Sequence, residues 1–174
     1  MNFKKIAIAL TVSFVSIGYL AQGKTPTSKY SSLVQAIYDR DTTAAAKAIA
    51  NGANVNERIS GMQPVIQAAA NFGNIEIVRM LLEKGADINA VNSEGDNIMT
   101  MWPGCTGEVT EMVRMFLKAG VDISFLSPSG SSALTRFAGT YDVKNEAGIT
   151  KSLIAAGADV KRDGGRALIS AASP

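Results

Sequence analysis

Apolar residues recur at helical spacing in short segments along the chain. Between positions 109 and 117 they follow the order i, i+3, i+4, i+7 and i+8, which places them on one face of an α-helix. These residues are Val109, Met112, Val113, Phe116 and Leu117. Gly120 follows them, and glycine readily adopts the left-handed conformation that ends many helices. The segment therefore predicts an amphipathic helix that ends at a glycine turn.

This pattern occurs four times. The clearest copies are IEIVRMLLEKGADINA (75–90) and TEMVRMFLKAGVDISF (110–125), and the weaker ones are AAAKAIANGANVNE (44–57) and ITKSLIAAGADVKR (149–162). The repeated glycines are spaced 33, 35 and 37 residues apart: Gly52, Gly85, Gly120 and Gly157. A shorter predicted helix precedes each copy: SSLVQAIY, QPVIQAAA, NIMTMW and SALTRFA. Repeats of this length indicate stacked helix–turn–helix units.

The segments GADIN (85–89) and GMQPVIQAAA (61–70) resemble the ankyrin-repeat family, whose motif is G-x-T-P-L-H-x-A-A. Gln63, Val65 and Ile66 stand where the family has Thr, Leu and His. The resemblance covers nearly all of the chain after residue 23. It implies an all-α ankyrin-repeat solenoid of about four helix-turn-helix repeats plus a C-terminal half-repeat. We place the units at 31–60, 61–94, 95–129 and 130–163, with a partial unit at 164–174.

The first 23 residues predict a secretory signal peptide. MNFKK supplies two lysines, IAIALTVSFVSIGYL is apolar, and AQG offers a cleavage site after Gly23. The apolar run is shorter than the about 20 residues that a membrane span needs. Residues 24–30 then form a short linker. The expected location is periplasmic or secreted, without membrane insertion after cleavage; the alternative is an uncleaved N-terminal anchor.

Charge and residue types narrow the possible functions. Without Lys4 and Lys5 of the signal peptide, the chain has 15 basic and 15 acidic residues. A net charge of zero gives no attraction for phosphate backbones, so we do not expect nucleic acid as a partner.

Asp87, Asp122 and Asp159 share one repeat position, which indicates a structural role.

The chain has no histidine and one cysteine, Cys105. It therefore lacks the residues for Ser-His-Asp or Cys-His catalysis, and it lacks the commonest zinc ligand. We expect no catalytic, cofactor-binding or metal-binding residues. The alternative from another functional class is a thiol-dependent enzyme or redox protein that uses Cys105.

Two turns between the helices of a unit are enlarged, MWPGCTGE (101–108) in unit 3 and GTYDVKNEAG (139–148) in unit 4. The corresponding turns of the four units each hold one aromatic residue: Tyr38, Phe72, Trp102 and Tyr141. Equivalent positions align in a stack, so these residues predict an aromatic ridge. Aromatic side chains dominate interface hot spots, and we expect the ridge, centred on Trp102, to bind a protein. The alternative is that each ring covers the ends of neighbouring helices.

The resemblance implies a second surface, because ankyrin repeats usually make contacts through hairpin tips and inner helices. The corresponding residues are Arg58, Met62, Val91, Ser93, Glu94, Asp96, Leu126, Pro128 and Ser131. Few charges and several apolar side chains suit a protein partner rather than a polyanion. The alternative is a set of ordinary solvated turns.

These features predict an exported, non-catalytic, monomeric protein that acts by stoichiometric recognition of a protein partner. Short exported bacterial ankyrin proteins include immunity proteins that occlude toxic effectors such as secreted lipases, so the resemblance favours an immunity or inhibitor role. The alternatives are a periplasmic accessory protein that supports an envelope enzyme or stress defence, and a structural spacer. The remnant GGRALISAASP (164–174) is expected to cap the last unit.

Overall fold

Seven α-helices and one short β-hairpin form the described part of the chain. The computed structural model describes residues 30–101, 109–137 and 143–161. In chain order the elements are α1 (Ser32–Asp39), α2 (Thr42–Ala50), β1 (Arg58–Ile59), β2 (Gln63–Pro64), α3 (Val65–Asn71), α4 (Ile75–Glu83), α5 (Val109–Lys118), α6 (Ala133–Phe137) and α7 (Val143–Ala155). The two strands pair antiparallel and have two residues each. The fold is therefore all-α, as the sequence predicts.

The helices are arranged in two layers. α1 packs against α2, and α3 packs against α4, within their units. Across units, α1 contacts α3 and α2 contacts α4, so that like helices stack on like helices. α7 contacts both α6 and α5 in the same way. The core consists of large apolar side chains that are at most 2% exposed: Leu33, Ile37, Ile66, Ile77, Leu81, Met112, Phe116, Phe137 and Leu153.

Side-chain caps and glycines fix the ends of the second helices. The carboxylate of Asp41 accepts a hydrogen bond from the N–H of Ala44 at 2.9 Å, and the Asn74 side chain accepts one from Ile77 at 3.2 Å. Such caps satisfy N–H groups that the helix itself leaves unbonded. The four repeated glycines have φ values of +86°, +82°, +80° and +96°: Gly52, Gly85, Gly120 and Gly157. The predicted left-handed glycine turns are confirmed.

The repeated aspartates hold the turn that follows each glycine. In each case a carboxylate oxygen accepts a hydrogen bond from the backbone N–H two residues further on, at 2.9, 2.8 and 2.8 Å for Asp87, Asp122 and Asp159. This local bond is typical of aspartate in turns. The structural role that the repeat position predicts is confirmed.

Asparagine side chains connect units 1 and 2. Oδ1 of Asn56 accepts a hydrogen bond of 2.7 Å from the backbone N–H of Asp87, and its Nδ2 donates to the carbonyl of Gly85 at 3.3 Å. One amide group thus satisfies a donor and an acceptor of the next unit. These paired bonds fix the distance between the two units.

The same connection exists between units 2 and 3. Asn89 accepts from the N–H of Asp122 at 2.7 Å and donates to the carbonyl of Gly120 at 3.3 Å. In unit 3 the equivalent residue is Ser124, and its hydroxyl donates to the carboxylate of Asp122 in its own turn at 2.7 Å. Among the described residues, no bond from Ser124 reaches unit 4. Serine is too short to reproduce the asparagine connection.

The predicted first helix of unit 3, NIMTMW, is a single turn at residues 98–100 instead. Oδ1 of Asn97 accepts hydrogen bonds from the N–H groups of Met99 and Thr100, each at 2.9 Å, and the Thr100 hydroxyl accepts one from the N–H of Asn97 at 3.0 Å. Short polar side chains that bond nearby backbone compete with helix formation. Pro103 follows in the sequence and disfavours helical geometry at the residue before it. The helix prediction for this segment was wrong.

The extra residues of unit 4 lengthen a helix. The sequence predicts an enlarged turn at residues 139–148, but α7 begins at Val143 and has 13 residues, compared with 9, 9 and 10 in α2, α4 and α5. The segment includes Lys144, Glu146 and Ala147, which all favour helices. The turn prediction was therefore wrong from residue 143 onward. Residues 138–142 lie outside the described residues.

Several other predicted segments also lie outside the described residues. They are the signal peptide (1–23), the linker except Tyr30, the turn from 102 to 108, and the half-repeat at 164–174. The longest described helix, α7, has 13 residues. None of the described helices combines the length and apolar character that crossing a membrane requires.

Candidate protein-binding surfaces

Arg58 holds hairpin 1, residues 58–64, against the next unit. The turn of this hairpin is formed by Ser60 and Gly61, whose φ values are +52° and +72°, and two left-handed residues are what a type I′ turn requires. The Arg58 guanidinium donates from Nη1 to the carbonyl of Met62 at 3.0 Å and from Nη2 to the carbonyl of Val91 at 2.7 Å. Arg58, which the sequence suggested as a partner contact, therefore fixes two hairpins relative to each other.

Hairpins 2 and 3, residues 91–97 and 126–132, are closed by equivalent backbone bonds. The N–H of Asn92 donates to the carbonyl of Asp96 at 2.9 Å, and the N–H of Ser127 donates to the carbonyl of Ser131 at 3.0 Å. In each, a glycine with positive φ completes the turn, +80° at Gly95 and +74° at Gly130. We call the row of these three hairpins the hairpin face.

The predicted contact residues of the hairpin face differ in exposure. Met62 at the tip of hairpin 1 is 54% exposed. Ser93, Glu94 and Pro128 are exposed, and Val91, Leu126 and Ser131 are half-buried. Asp96 is only 8% exposed, although the sequence places it beside the tip. The face thus presents apolar and acidic groups, but Asp96 is largely covered in the free chain.

Gln67 anchors hairpin 2 to the first helix of its unit. The residue is 0% exposed, and its Nε2 donates to the carbonyl of Ala90 at 2.9 Å and to that of Asp96 at 3.1 Å. Sequence reasoning missed this role, because QPVIQAAA resembles an apolar helix face in which one glutamine carries no signal. A buried amide that bonds two carbonyls of a loop fixes the loop in one place.

A shallow depression of about 260 Å³ lies beside hairpin 1. Its lining includes two charged residues, Arg58 and Asp87, together with the apolar side chains of Val55 and Pro64. The depression joins the hairpin of unit 1 to the turn of unit 2. It makes this part of the hairpin face concave.

Two members of the aromatic ridge contact each other. The rings of Tyr38 and Phe72 meet edge to face, with centroids 5.6 Å apart and an interplanar angle of 67°. Their units are adjacent, so equivalent positions do align as the repeat predicts. The other two members, Trp102 and Tyr141, lie outside the described residues. Whether the ridge binds a partner stays a prediction.

The surroundings of this aromatic pair have features of both roles predicted for the ridge, which are contact with a partner and cover for the ends of neighbouring helices. Tyr38 is 39% exposed and offers aromatic surface to a partner. Phe72 is half-buried, and the guanidinium of Arg40 lies 5.8 Å from its ring centroid, a cation–π geometry. A depression of about 310 Å³ beside it reaches the first turn of α4. Sequence reasoning missed Arg40, because the contact forms between units.

The candidate thiol, Cys105, also lies outside the described residues. Within the described ranges, no group of three acidic, histidine or cysteine side chains stands close enough together to hold a metal ion.

Comparison with known families agrees with this architecture. Residues 15–92 match the family model described as ankyrin repeats in three copies. Ankyrin repeats are therefore identified in residues 15–92, a little under half of the chain. Ankyrin repeats are protein–protein interaction modules, and the family is typically non-catalytic. A comparison with curated proteins finds no match.

The matched range shows where the ankyrin sequence is most regular. The match begins at Val15, outside the described residues, and ends at Asn92, the first residue of the turn in hairpin 2. Units 3 and 4 follow it with Ile98 and Ala133 at the proline position of the motif. Their second helices nevertheless end at the same kind of left-handed glycine turn, at Gly120 and Gly157. The ankyrin architecture therefore continues beyond the matched residues.

Proposed function

We propose that this chain is an exported, non-catalytic protein that binds a partner protein in the cell envelope and inhibits or protects it. The favoured role is immunity to a secreted toxic effector, such as a lipase. Support for export comes from the first 23 residues, whose lysines, apolar run and AQG site have the order of a signal peptide. Support for binding comes from the ankyrin repeats.

The observation that carries the proposal is the fixed row of hairpins with an apolar tip. Arg58 ties hairpin 1 to Val91 at 2.7 Å, and Gln67 ties hairpin 2 to its helix. Met62 stands 54% exposed on this row. Because the main chain under this side chain is already held in place, binding orders the side chain alone and no loop, which favours affinity. Such a surface suits a stoichiometric binder.

The proposed mechanism is occlusion. A standard protein interface buries roughly 1,600 Å² in total, an area that a row of hairpins or the aromatic ridge of successive units can supply. Binding across the partner's active site excludes its substrate without any reaction on this chain. The ridge around Trp102 and the hairpin face are the two surfaces through which such a complex forms.

Two measurements test this proposal. Mass spectrometry of the protein from the cell envelope should give a mature chain that begins at Lys24, and an intact residue 1 would refute export by a cleaved signal. The purified chain should then retain one protein from an envelope extract, and added chain should suppress or protect that protein's activity. Retention of a partner without any effect on its activity would favour the accessory role instead.

A further inference from the structure

We propose that the hairpin face binds a basic segment of the partner, and that Asp96 is the acceptor for one of its arginine or lysine side chains. The inference rests on the proposed function, since it names the chemistry of the protein that the hairpin face binds. Two independent observations lead to it: the distribution of charge between the two sides of the units, and the state of the Asp96 carboxylate.

Negative charge predominates in the loops, and positive charge predominates on the second helices. The segments that connect one unit to the next (51–64, 85–96, 120–131 and 157–161) contain six acidic and two basic residues, a net charge of −4. The acidic residues are Glu57, Asp87, Glu94, Asp96, Asp122 and Asp159. The second helices α2, α4, α5 and α7 with Lys84 contain four acidic and seven basic residues, a net charge of +3. Within the hairpin face itself the charged residues are Arg58, Glu94 and Asp96, so the excess negative charge lies on hairpin 2, where it attracts positive charge on a partner.

Asp96 carries a carboxylate oxygen that no described residue pairs. The residue is 8% exposed, and its Oδ1 is buried with no hydrogen-bond partner among the described residues. Its backbone, by contrast, is fully engaged: the N–H donates to Oδ1 of Asn92 at 2.9 Å, and the carbonyl accepts from Gln67 at 3.1 Å. The main chain is therefore fixed in place, while Oδ1 has no partner among the residues that the structure describes.

The hairpin itself does not require a carboxylate at this position. The residue after the hairpin glycine is Met62 in hairpin 1 and Ser131 in hairpin 3, and both hairpins close through the same type of turn bond. A buried carboxylate without a partner destabilises the chain that contains it. A carboxylate at this position is thus not needed by the hairpin, and contact with a partner gives it a role.

A partner cation supplies the missing interaction. Because Oδ1 of Asp96 makes no hydrogen bond with the described residues, turning the carboxylate toward a partner breaks none there, and side-chain rotations of this kind are common at interfaces. Glu94, two residues earlier, is exposed and adds a second negative charge to the same hairpin. An arginine guanidinium matches the carboxylate better than a lysine ammonium does, since it forms two parallel hydrogen bonds with a carboxylate.

Titration with a synthetic oligoarginine peptide tests the proposal on the protein purified from cells. We expect the peptide to bind, and we expect Asp96→Asn to weaken binding by at least about tenfold while the midpoint of thermal unfolding stays the same or rises. Glu83→Gln removes one exposed carboxylate from α4 and serves as the matched control, with affinity close to that of the unchanged chain. An oligoglutamate peptide should not bind.

Each other outcome overturns the inference. Absence of oligoarginine binding, or an equal loss of affinity in Asp96→Asn and Glu83→Gln, would show that Asp96 is not the specific acceptor. A lower unfolding midpoint in Asp96→Asn would show that the carboxylate stabilises the free chain after all. If an envelope partner is retained equally by Asp96→Asn and the unchanged chain, the inference fails while the proposed function stands. If no envelope protein is retained by the unchanged chain, the proposed function fails instead.

Discussion

Nη2 of Arg58 lies 2.7 Å from the carbonyl oxygen of Val91, which is 33 residues further along the chain. The same guanidinium also bonds the carbonyl of Met62 at 3.0 Å. A single side chain therefore connects the tip of one hairpin to the start of the next. This connection turns two separate loops into one surface.

Replacement of Arg58 by lysine should separate the two hairpins. One ammonium group lacks the planar fork that reaches both carbonyls. We expect Arg58→Lys to lower the free energy of unfolding by about 1 kcal/mol, a modest value because the side chain is exposed and its bonds are screened by water. Urea denaturation measures this change. A midpoint equal to that of the unchanged chain would show that the two bonds do not stabilise the fold.

The asparagine connection predicts opposite effects for two reciprocal substitutions. Asn89→Ser removes the bonds to Asp122 and Gly120 and should cost about 1–2 kcal/mol of unfolding free energy, because a backbone N–H loses its partner. Ser124→Asn supplies the longer side chain between units 3 and 4 and should stabilise by up to about 1 kcal/mol. Thermal unfolding of both variants measures the two changes in unfolding free energy. Destabilisation by Ser124→Asn would show that unit 4 does not stack as unit 3 does.

Gly95 should tolerate alanine less well than Gly85. Both have positive φ, +80° and +82°, so alanine at either position costs about 1–2 kcal/mol of backbone strain. A Cβ at Gly85 would meet no atom within 4 Å, whereas a Cβ at Gly95 would lie 2.6 Å from Cγ of Pro128. The clash should add about 1–3 kcal/mol.

The same comparison has an internal control. In a Pro128→Ala background, Gly95→Ala should cost no more than Gly85→Ala, because the proline ring is gone. Urea denaturation of the single and double variants gives the difference. An unchanged cost in that background would mean that Pro128 is not the source of the penalty, and that hairpins 2 and 3 do not approach as closely as described.

The aromatic pair should contribute a measurable coupling energy. Tyr38 and Phe72 meet at 5.6 Å, and edge-to-face pairs contribute about 0.5–1.5 kcal/mol beyond simple burial. A double-mutant cycle of Tyr38→Leu and Phe72→Leu should give a coupling in this range. A coupling of zero would mean that the two rings act independently and that the ridge is not continuous across units 1 and 2.

Local sequence determines the features that sequence reasoning predicted correctly. The second helices follow from apolar spacing such as Met112, Val113 and Phe116, and the glycine turns follow from a conformation that other residues resist. Both signals lie within one unit and repeat in each. These two signals are sufficient to predict the stacked second helices.

The features that sequence reasoning missed depend on contacts between units or on competition within a turn. The bonds of Arg58 to Val91 and of Gln67 to Asp96 join residues 33 and 29 positions apart, and nothing local indicates them. At Asn97, side-chain bonds to nearby N–H groups outweigh an apolar pattern that suggests a helix. The burial of Asp96 follows from packing around hairpin 2, not from its position beside a glycine.

Quantitative affinity capture from the native envelope fraction tests the central claim most directly. The chain from residue 24 to 174 serves as bait, beside Trp102→Ala in the ridge, Met62→Ser on the hairpin face and Glu83→Gln as a control on α4. We predict that one protein is retained at an equimolar ratio, that Glu83→Gln retains it fully, and that at least one of the two surface variants loses it while remaining folded. Equal retention by all four chains, or retention of no protein, would contradict the account.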